Sequence, residues 1–288
     1  MKIILLPVLL SAALTIASCS RSDSDLAPIA ENYPYNSAPD VSAADPENPS
    51  SDSDQNQEVI ITQILLFNGI GTSVSDWKNL EQIIASMGLT YRLVNSSGLN
   101  AMSLSTLKTY GMILIPGGNS NTINSGLYKA TKIRVRQAVR DGGVSYLGIC
   151  AGAFAAVGTD SLSNTTAYYG FGVAQGNYLT HWYPDGNSSL IAAVPKVTFA
   201  DGSSRHLMWY DGPGTPEWSR GVIARYPNGR PAISQTWTGL GFVIVSGPHP
   251  EAPPSWQYDS GTDPDGLDYD IAKNLISAAL FRKPLQAF

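Results

Sequence analysis

The chain has 288 residues, 43% of them hydrophobic and only 14% charged, with 27 Gly and 19 Pro. That is enough for one large domain or two small ones, and it excludes a coiled coil, a long helical bundle and a wholly disordered chain. The net charge of −5 gives no support to nucleic-acid binding, and no apolar run after the first twenty residues is long enough to cross a bilayer.

The charge is unevenly placed. Residues 20–58 carry nine acids against one base, Arg21, whereas residues 59–288 carry 16 basic and 14 acidic side chains. The nearly neutral remainder suggests no charged polymer as a partner.

The N-terminus reads as an address. Lys2, the almost entirely apolar Ile3–Ile16 and then Ala17-Ser18-Cys19 have the layout of a secretory signal. Ile16-Ala17-Ser18-Cys19 is similar to the lipobox of bacterial lipoproteins. The resemblance implies a signal peptide over 1–18, removed to leave Cys19 as a lipidated first residue and membrane anchor. Ser20, a residue other than Asp at the next position, implies the outer membrane. The alternative is an ordinary signal with an incidental Cys. Residues 19–58, rich in Ser, Asp, Asn and Pro, bury too little apolar surface to offset their ordering entropy and read as a flexible acidic tether. With Cys19 lipidated, Cys150 is a lone thiol in an exported protein. It is either a reactive group or a buried small hydrophobe.

From residue 59 the pattern alternates strand and helix. Val59–Phe67 is a β-rich apolar run of the kind that suits a strand covered on both faces. Ser75–Met87 has helical spacing, with Trp77, Leu80, Ile83 and Ile84 on the inward side and Gly88 as its stop. Leu89–Val94 is a second strand and Gly111–Pro116 a third, closed by Gly117-Gly118. Tyr128–Arg140 is helical, with Ile133 and Val139 inward and the basic residues outward. Val144–Ile149 is a fourth strand, and Cys150–Ala156 opens a helix. The order predicts an α/β domain over 59–288 built on a mostly parallel sheet with helices on both faces.

The second half is richer in strands: Leu190–Phe199, Leu207–Tyr210, Gly221–Tyr226, Ala232–Trp237 and Gly241–Ser246. Tyr226-Pro227-Asn228-Gly229-Arg230-Pro231 predicts a hairpin turn, and Asp270–Phe281 a closing helix.

The chemistry gathers at Gly148-Ile149-Cys150-Ala151-Gly152, between a buried strand and a helix. A nucleophile there sits on a tight, strained turn with small neighbours, and the helix start favours the thiolate. The Ala151 N–H points where an oxyanion develops, and Gly117-Gly118, ending the neighbouring strand, offers a second donor. All lie beyond the carboxyl ends of strands, where open α/β sheets bind ligands. The base must come from His181, His206 or His249, the three histidines of the chain. His249 follows the apolar strand Gly241–Ser246, and Glu251 is placed to hold its imidazole. The prolines around His249 are equally compatible with a polar turn.

Gly-Ile-Cys-Ala-Gly with a distant His-Pro-Glu resembles class I glutamine amidotransferase-like domains. More narrowly, the chain resembles the domain at the N-terminus of some biotin-protein ligases, which bacteria carry as a stand-alone protein. The matching residues are Phe67–Ser73, Ile115–Gly118, Arg140–Gly152 and Trp209–Pro213, in an order and spacing that together are specific. The resemblance implies a flavodoxin-like sheet, with extra β hairpins in the C-terminal half. It makes Cys150 the nucleophile, His249 the base and Glu251 the orienting acid. By position Gly118 and Ala151 are oxyanion donors, and Asn68, Gly117, Tyr210 and Asp211 line the pocket.

Two departures narrow the reading. Phe154 stands where glutamine-hydrolysing members carry Gln, and no synthetase domain is present to receive ammonia, which argues against a free-standing glutaminase. Ala151 stands where the intracellular-protease-like branch carries His. The aromatic stretch Tyr178, His181, Trp182 and Tyr183 reads as packing rather than a pocket wall, and His206 as structural. Asp259, Asp263, Asp265, Asp268 and Asp270 lack the EF-hand layout and read as an exposed acidic loop. No zinc spacing, phosphate loop or dinucleotide fingerprint is present, so no metal or cofactor is expected. The expectation is an exported, lipid-anchored, cysteine-dependent amide hydrolase. His249 would shuttle the proton, and the substrate would be peptide-like or from the cell envelope. The alternative is a non-catalytic binding module on the same fold, or a subunit that works only with a partner chain.

Overall fold

The computed structural model describes residues 63–159, 170–186 and 188–288. The signal segment, Cys19, the tether and Val59–Thr62 of the predicted first strand lie outside the described residues.

The first half lays down β1 (Ile64–Phe67), α1 (Val74–Ser86), β2 (Tyr91–Val94), α2 (Ser96–Ala101), α3 (Leu104–Leu107), β3 (Met112–Ile115), α4 (Ser120–Ser125), α5 (Lys129–Arg140), β4 (Ser145–Ile149) and α6 (Ala151–Ala156). Then follow β5 (Val157–Thr159), β6 (Ala174–Gln175), β7 (Ala192–Ala193), β8 (Lys196–Phe199), β9 (Ser204–His206), β10 (Trp209–Tyr210), β11 (Val222–Arg225), β12 (Pro231–Thr238), β13 (Gly241–Ser246), α7 (Gln257–Ser260) and α8 (Tyr269–Phe281). The main sheet has nine strands in the order β2-β1-β3-β4-β13-β12-β11-β8-β9. From β2 to β13 neighbours run parallel, and from β13 to β9 they run antiparallel. The parallel half has the flavodoxin-like order, with its switch point between β1 and β3.

The apolar runs are unbroken because both faces are covered. Side chains alternate along a strand, so Ile64, Leu66, Met112, Leu114 and Leu147 enter the core with residues of α1 and α8. Leu65, Phe67, Ile113, Ile115 and Tyr146 enter the opposite core with Val135, Ala138 and Val139 of α5. Each such buried side chain stabilises the fold by roughly 1.5–3 kcal/mol. Among the described residues no helix is long and apolar enough to cross a membrane.

Several expectations shift. In α1 the side chain of Ser73 accepts from the Asp76 N–H, so the helix starts one residue early. Trp77 is only half-buried, and Asp76 and Asn79 are buried beside Leu80, Ile83 and Ile84 instead, because the first turn faces the site rather than the apolar core. In α5 the basic residues do not all point outward. Lys132, Arg136 and Arg140 are buried, and Val135 rather than Ile133 joins Val139 inside. The guanidinium of Arg136 donates twice to the Phe171 carbonyl, at 2.9 and 2.8 Å, and Lys132 donates to Asn124. In Lys132 and Arg136 the long stems pack while the heads meet an amide and a backbone oxygen.

Leu190–Phe199 is two strands, not one. Pro195 cannot donate to a ladder, so β7 pairs with β10 while β8 joins the main sheet. The strand expected over Leu207–Tyr210 shortens to Trp209–Tyr210 for the same reason, as its partner is only two residues long. The predicted turn is formed, with Tyr226 N–H on the Arg230 carbonyl at 2.9 Å and Gly229 at φ 84°. The helices α2, α3 and α4 were not expected. Each is four to six residues long and begins at a side-chain cap (Asn95, Ser103, Asn119) rather than in an apolar period.

Candidate active site

Cys150 joins β4 to α6 with φ 47° and ψ −103°, a combination that costs about 1–3 kcal/mol in a non-glycine residue. The turn is held from outside. The Cys150 N–H donates to the Ser246 carbonyl at the end of β13 at 2.8 Å, and Tyr146 Oη donates to the Gly152 carbonyl at 2.8 Å. A Cβ on Gly152 would lie 2.0 Å from the Ile115 carbonyl oxygen, so only glycine lets α6 lie this close to β3. Cys150 is fully buried, its thiol 3.7 Å from the Tyr210 carbonyl oxygen.

β13 also delivers His249. Three residues past the Ser246 contact, the His249 N–H donates to the Met208 carbonyl at 2.7 Å. The imidazole Nδ1 lies 2.9 Å from Glu251 Oε1 and 3.0 Å from Asp76 Oδ1, with all three side chains buried. Asn79 donates to the Glu251 carbonyl. The Trp256 ring meets the imidazole edge-on at 4.9 Å between centroids and anchors to Ser75 Oγ through Nε1 at 3.2 Å. Gly117 completes the wall, since a Cβ there would lie 2.5 Å from His249 Cε1.

The structure therefore brings Cys150, His249, Glu251, Gly117 and Tyr210 to one end of the parallel sheet. Gly118, at φ 139°, bridges to Thr72 through its neighbours: Ser73 N–H to the Gly117 carbonyl and Asn119 N–H to the Gly71 carbonyl. The Gly118 N–H stands outside that ladder. Ala151 is the first residue of α6, so its N–H has no intrahelical acceptor. Asn68 follows β1, its side-chain oxygen buried with no partner among the described residues.

Asp76 was missed. It lies three residues after Ser73 and reads in sequence as an ordinary helix-capping acid; only the return of the chain 173 residues later turns it into a partner of His249. Asn79 and Trp256 gave no signal at all.

His181 also departs from its expected packing role. Its Nδ1 lies 2.8 Å from the Asp211 carbonyl oxygen and 3.0 Å from Asp211 Oδ1. Asp211 is buried, with φ 48°. Trp182 does pack, stacked on Tyr226 at 3.9 Å. His206 is bound to Asp265 through its N–H and Nδ1, at 2.7 and 2.8 Å. The acidic loop is not simply exposed either. Asp263 and Asp268 are buried, and Arg205 ties Asp268 and Asp270 at 2.8 and 3.1 Å.

Burial works against charge on all three members of the His249 cluster, and their mutual fields decide the result. Burial, helped by the negative charge of Asp76, raises the Glu251 carboxyl from 4.5 to about 8 against the pull of His249. For Asp76 the same penalty is outweighed by His249 and by hydrogen bonds from its neighbours, and its pKa falls. For His249 burial is outweighed by Glu251, Cys150 and Asp76, and its pKa rises well above the ordinary imidazole value. One proton on Nδ1 faces two carboxyl groups that share a single charge. The donor atoms of Asp76, His249 and Glu251 lie within 4.8 Å of one another. They could also ligate a cation, but the shared proton uses the same atoms.

These shifts give a signed prediction. Glu251 keeps in the folded state a proton that the unfolded chain releases above 4.5, so stability falls as pH rises from there to about 8. His249 acts in the same direction, from 6.5 upward. Asp76 acts oppositely, its contribution being lost as pH falls below 3.8. Thermal melts are expected to show a Tm lower by at least about 3 °C at pH 8.5 than at pH 5.5. Glu251→Gln should flatten that slope. An equal slope in the variant would remove Glu251 from the account.

Residues 62–163 match the family model described as biotin-protein ligase, N terminal. No curated protein matches the chain. Among solved structures, a glutamine amidotransferase is 17% identical, with a TM-score of 0.50 over 75% of this chain and 98% of its own. A glutamine amidotransferase from Thermotoga maritima is 11% identical, with a TM-score of 0.46 over 77% and 97%. One from Methylobacillus flagellatus is 11% identical, with a TM-score of 0.47 over 80% and 97%. At such identities the first of these speaks for the fold, and the other two carry no argument. The chain shares its fold with that glutamine amidotransferase structure, and its similarity to the biotin-protein ligase N-terminal model covers residues 62–163.

Proposed function

We propose that the protein is a cysteine-dependent amide hydrolase. The observation that carries the reading is the strained elbow at Cys150 together with an imidazole, His249, at the same end of the sheet, within reach of the charge of Cys150 and fixed by two buried carboxyl groups. His249 takes the thiol proton, and the resulting thiolate attacks a carbonyl carbon. The N–H groups of Gly118 and Ala151 receive the oxyanion. Asp76 and Glu251 hold the ring with its proton on Nδ1, as the acid does in a Ser-His-Asp triad. The lipobox-like N-terminus places this domain, in the proposal, on a tether at the outer membrane. Peptides or cell-envelope amides are then the substrates within reach.

A second reading rests on the complete burial of Cys150: a binding module whose thiol is an inert core residue. Alkylation separates the two. In the full chain, iodoacetamide is expected to modify Cys150 readily at pH 5.5–6.5, where an ordinary thiol is almost entirely protonated. His249→Ala should slow that reaction by about 10-fold, since a larger thiolate fraction is partly offset by its lower nucleophilicity. A thiol that reacts only above pH 8 and ignores the substitution would sink the hydrolase reading.

A further inference from the structure

The site holds a second imidazole. His181 is fixed in direction on one side only. Its Nδ1 is engaged by Asp211 through the main-chain oxygen at 2.8 Å and Oδ1 at 3.0 Å, while Nε2 has no partner among the described residues. The segment that carries it is paired on both sides of His181. Trp182 N–H donates to the Gly212 carbonyl at 3.0 Å, Gly214 N–H donates to the Thr180 carbonyl at 3.1 Å, and Arg230 holds the His181 carbonyl at 3.2 Å. Asp211 is itself held in a left-handed backbone conformation and buried. So rigid a mounting of a partly exposed histidine is a cost that packing alone does not explain.

Two contacts locate this pair at the nucleophile. Phe154, one helical turn after Cys150, has its ring 4.8 Å from the His181 ring. The residue before Asp211 is Tyr210, whose carbonyl oxygen lies 3.7 Å from the Cys150 thiol. The two histidines differ in kind. The His249 side chain is fully buried between two carboxyl groups, whereas 21% of the His181 side chain is exposed. His249 is thus suited to holding charge opposite the thiolate, and His181 to exchanging protons with a bound molecule or with water.

We propose that His181, oriented by Asp211, is a further catalytic residue that protonates the leaving amine and then activates the water. The inference rests on the hydrolase reading above and divides its proton chemistry between two imidazoles. Thiolate attack forms the C–S bond and an oxyanion. As the oxyanion collapses and the C–N bond breaks, the proton on His181 Nε2 passes to the amine nitrogen. Neutral His181 then takes a proton from water as the water oxygen bonds to the thioester carbon. The C–S bond breaks, and the thiolate returns to its place opposite His249. Burial disfavours a charged His181, but the hydrogen bonds and charge of Asp211 and the charge of Cys150 outweigh it and raise its pKa, as a proton donor requires.

The test uses 4-nitrophenyl acetate, whose leaving group needs no proton. With wild-type full chain, a burst of nitrophenolate is expected, followed by slower turnover limited by hydrolysis of acetylated Cys150. His181→Gln should keep the burst and lower the steady rate by about 100-fold, with acetyl-Cys150 accumulating in the mass spectrum. Asp211→Asn should also keep the burst and lower the steady rate, by a smaller factor, because it removes the charge that favours protonated His181 while the main-chain oxygen still fixes the ring. If burst and steady rate fall together, or neither changes, His181 has no such role. If wild type shows no burst and Cys150 alkylates like an ordinary thiol, the hydrolase reading fails and takes this inference with it. A missing wild-type burst with fast alkylation overturns only the division of labour.

Discussion

Replacing Cys150 with Ala is expected to abolish the acyl-enzyme burst and lower turnover by at least about 10³-fold, while the melting temperature changes little. The chemical part follows from losing the atom that, in the hydrolase reading, forms the covalent intermediate; the oxyanion donors and binding contacts that remain leave a small residue of catalysis. The backbone limits the stability effect. Cys150 sits at φ 47° and ψ −103°, and alanine, which keeps the Cβ, leaves that strain in place while giving up the buried sulfur and its contact with the Tyr210 carbonyl. Cys150→Gly should relieve that strain and raise stability by about 1 kcal/mol or more, read as an upward shift in Tm with activity gone. Turnover unchanged by Cys150→Ala would overturn the hydrolase mechanism and leave the thiol a structural filler, as the binding-module reading requires.

Gly152→Ala should be among the most damaging single-methyl changes in the chain, at roughly 3 kcal/mol or more. The added Cβ would stand 2.0 Å from the Ile115 carbonyl oxygen and 2.8 Å from its carbon. Both belong to the backbone of β3, in the middle of the parallel half of the sheet, so no side chain can swing aside. Either α6 lifts from the sheet, moving Cys150 off its position, or β3 shifts and opens both cores. Gly88→Ala is the matched control. It has φ 69° but nothing within 4 Å of the added carbon, so it pays only the left-handed backbone cost of about 1–2 kcal/mol. Chemical denaturation of the two variants should separate them clearly; equal losses would show that the elbow has more room than the backbone positions allow.

Much of the fold was legible because its signals are local. The runs ending at Phe67, Ile115, Ile149 and Ser246 are buried at every position and polar only at Ser145 and Ser246, and only strands covered on both faces need that. Gly148 and Gly152 around Cys150 marked a tight strand-to-helix turn, and His249-Pro250-Glu251 marked a strand end with a neighbouring acid. The short polar helices α2 to α4 were illegible because side-chain caps and tertiary covering, not an apolar period, hold them. The buried Lys132, Arg136 and Arg140 were misread because a basic stripe looks the same whether it meets water or a covering carbonyl.

The sequence by itself determined the α/β class, the succession of strands and helices along the first half of the chain and the placing of Cys150 at a strand-to-helix elbow. It did so because hydrophobic period, glycine spacing and turn chemistry act within a few residues. Only the tertiary structure decided which acids face His249, that Asp76 shares its proton with Glu251, and that His181 stands with Asp211 near the nucleophile. Those pairings join residues 173 and 30 apart in the chain, and the charge each group carries depends on burial and on neighbours that fold back from elsewhere. No local pattern encodes a field that exists only once distant segments are brought into a low-dielectric interior.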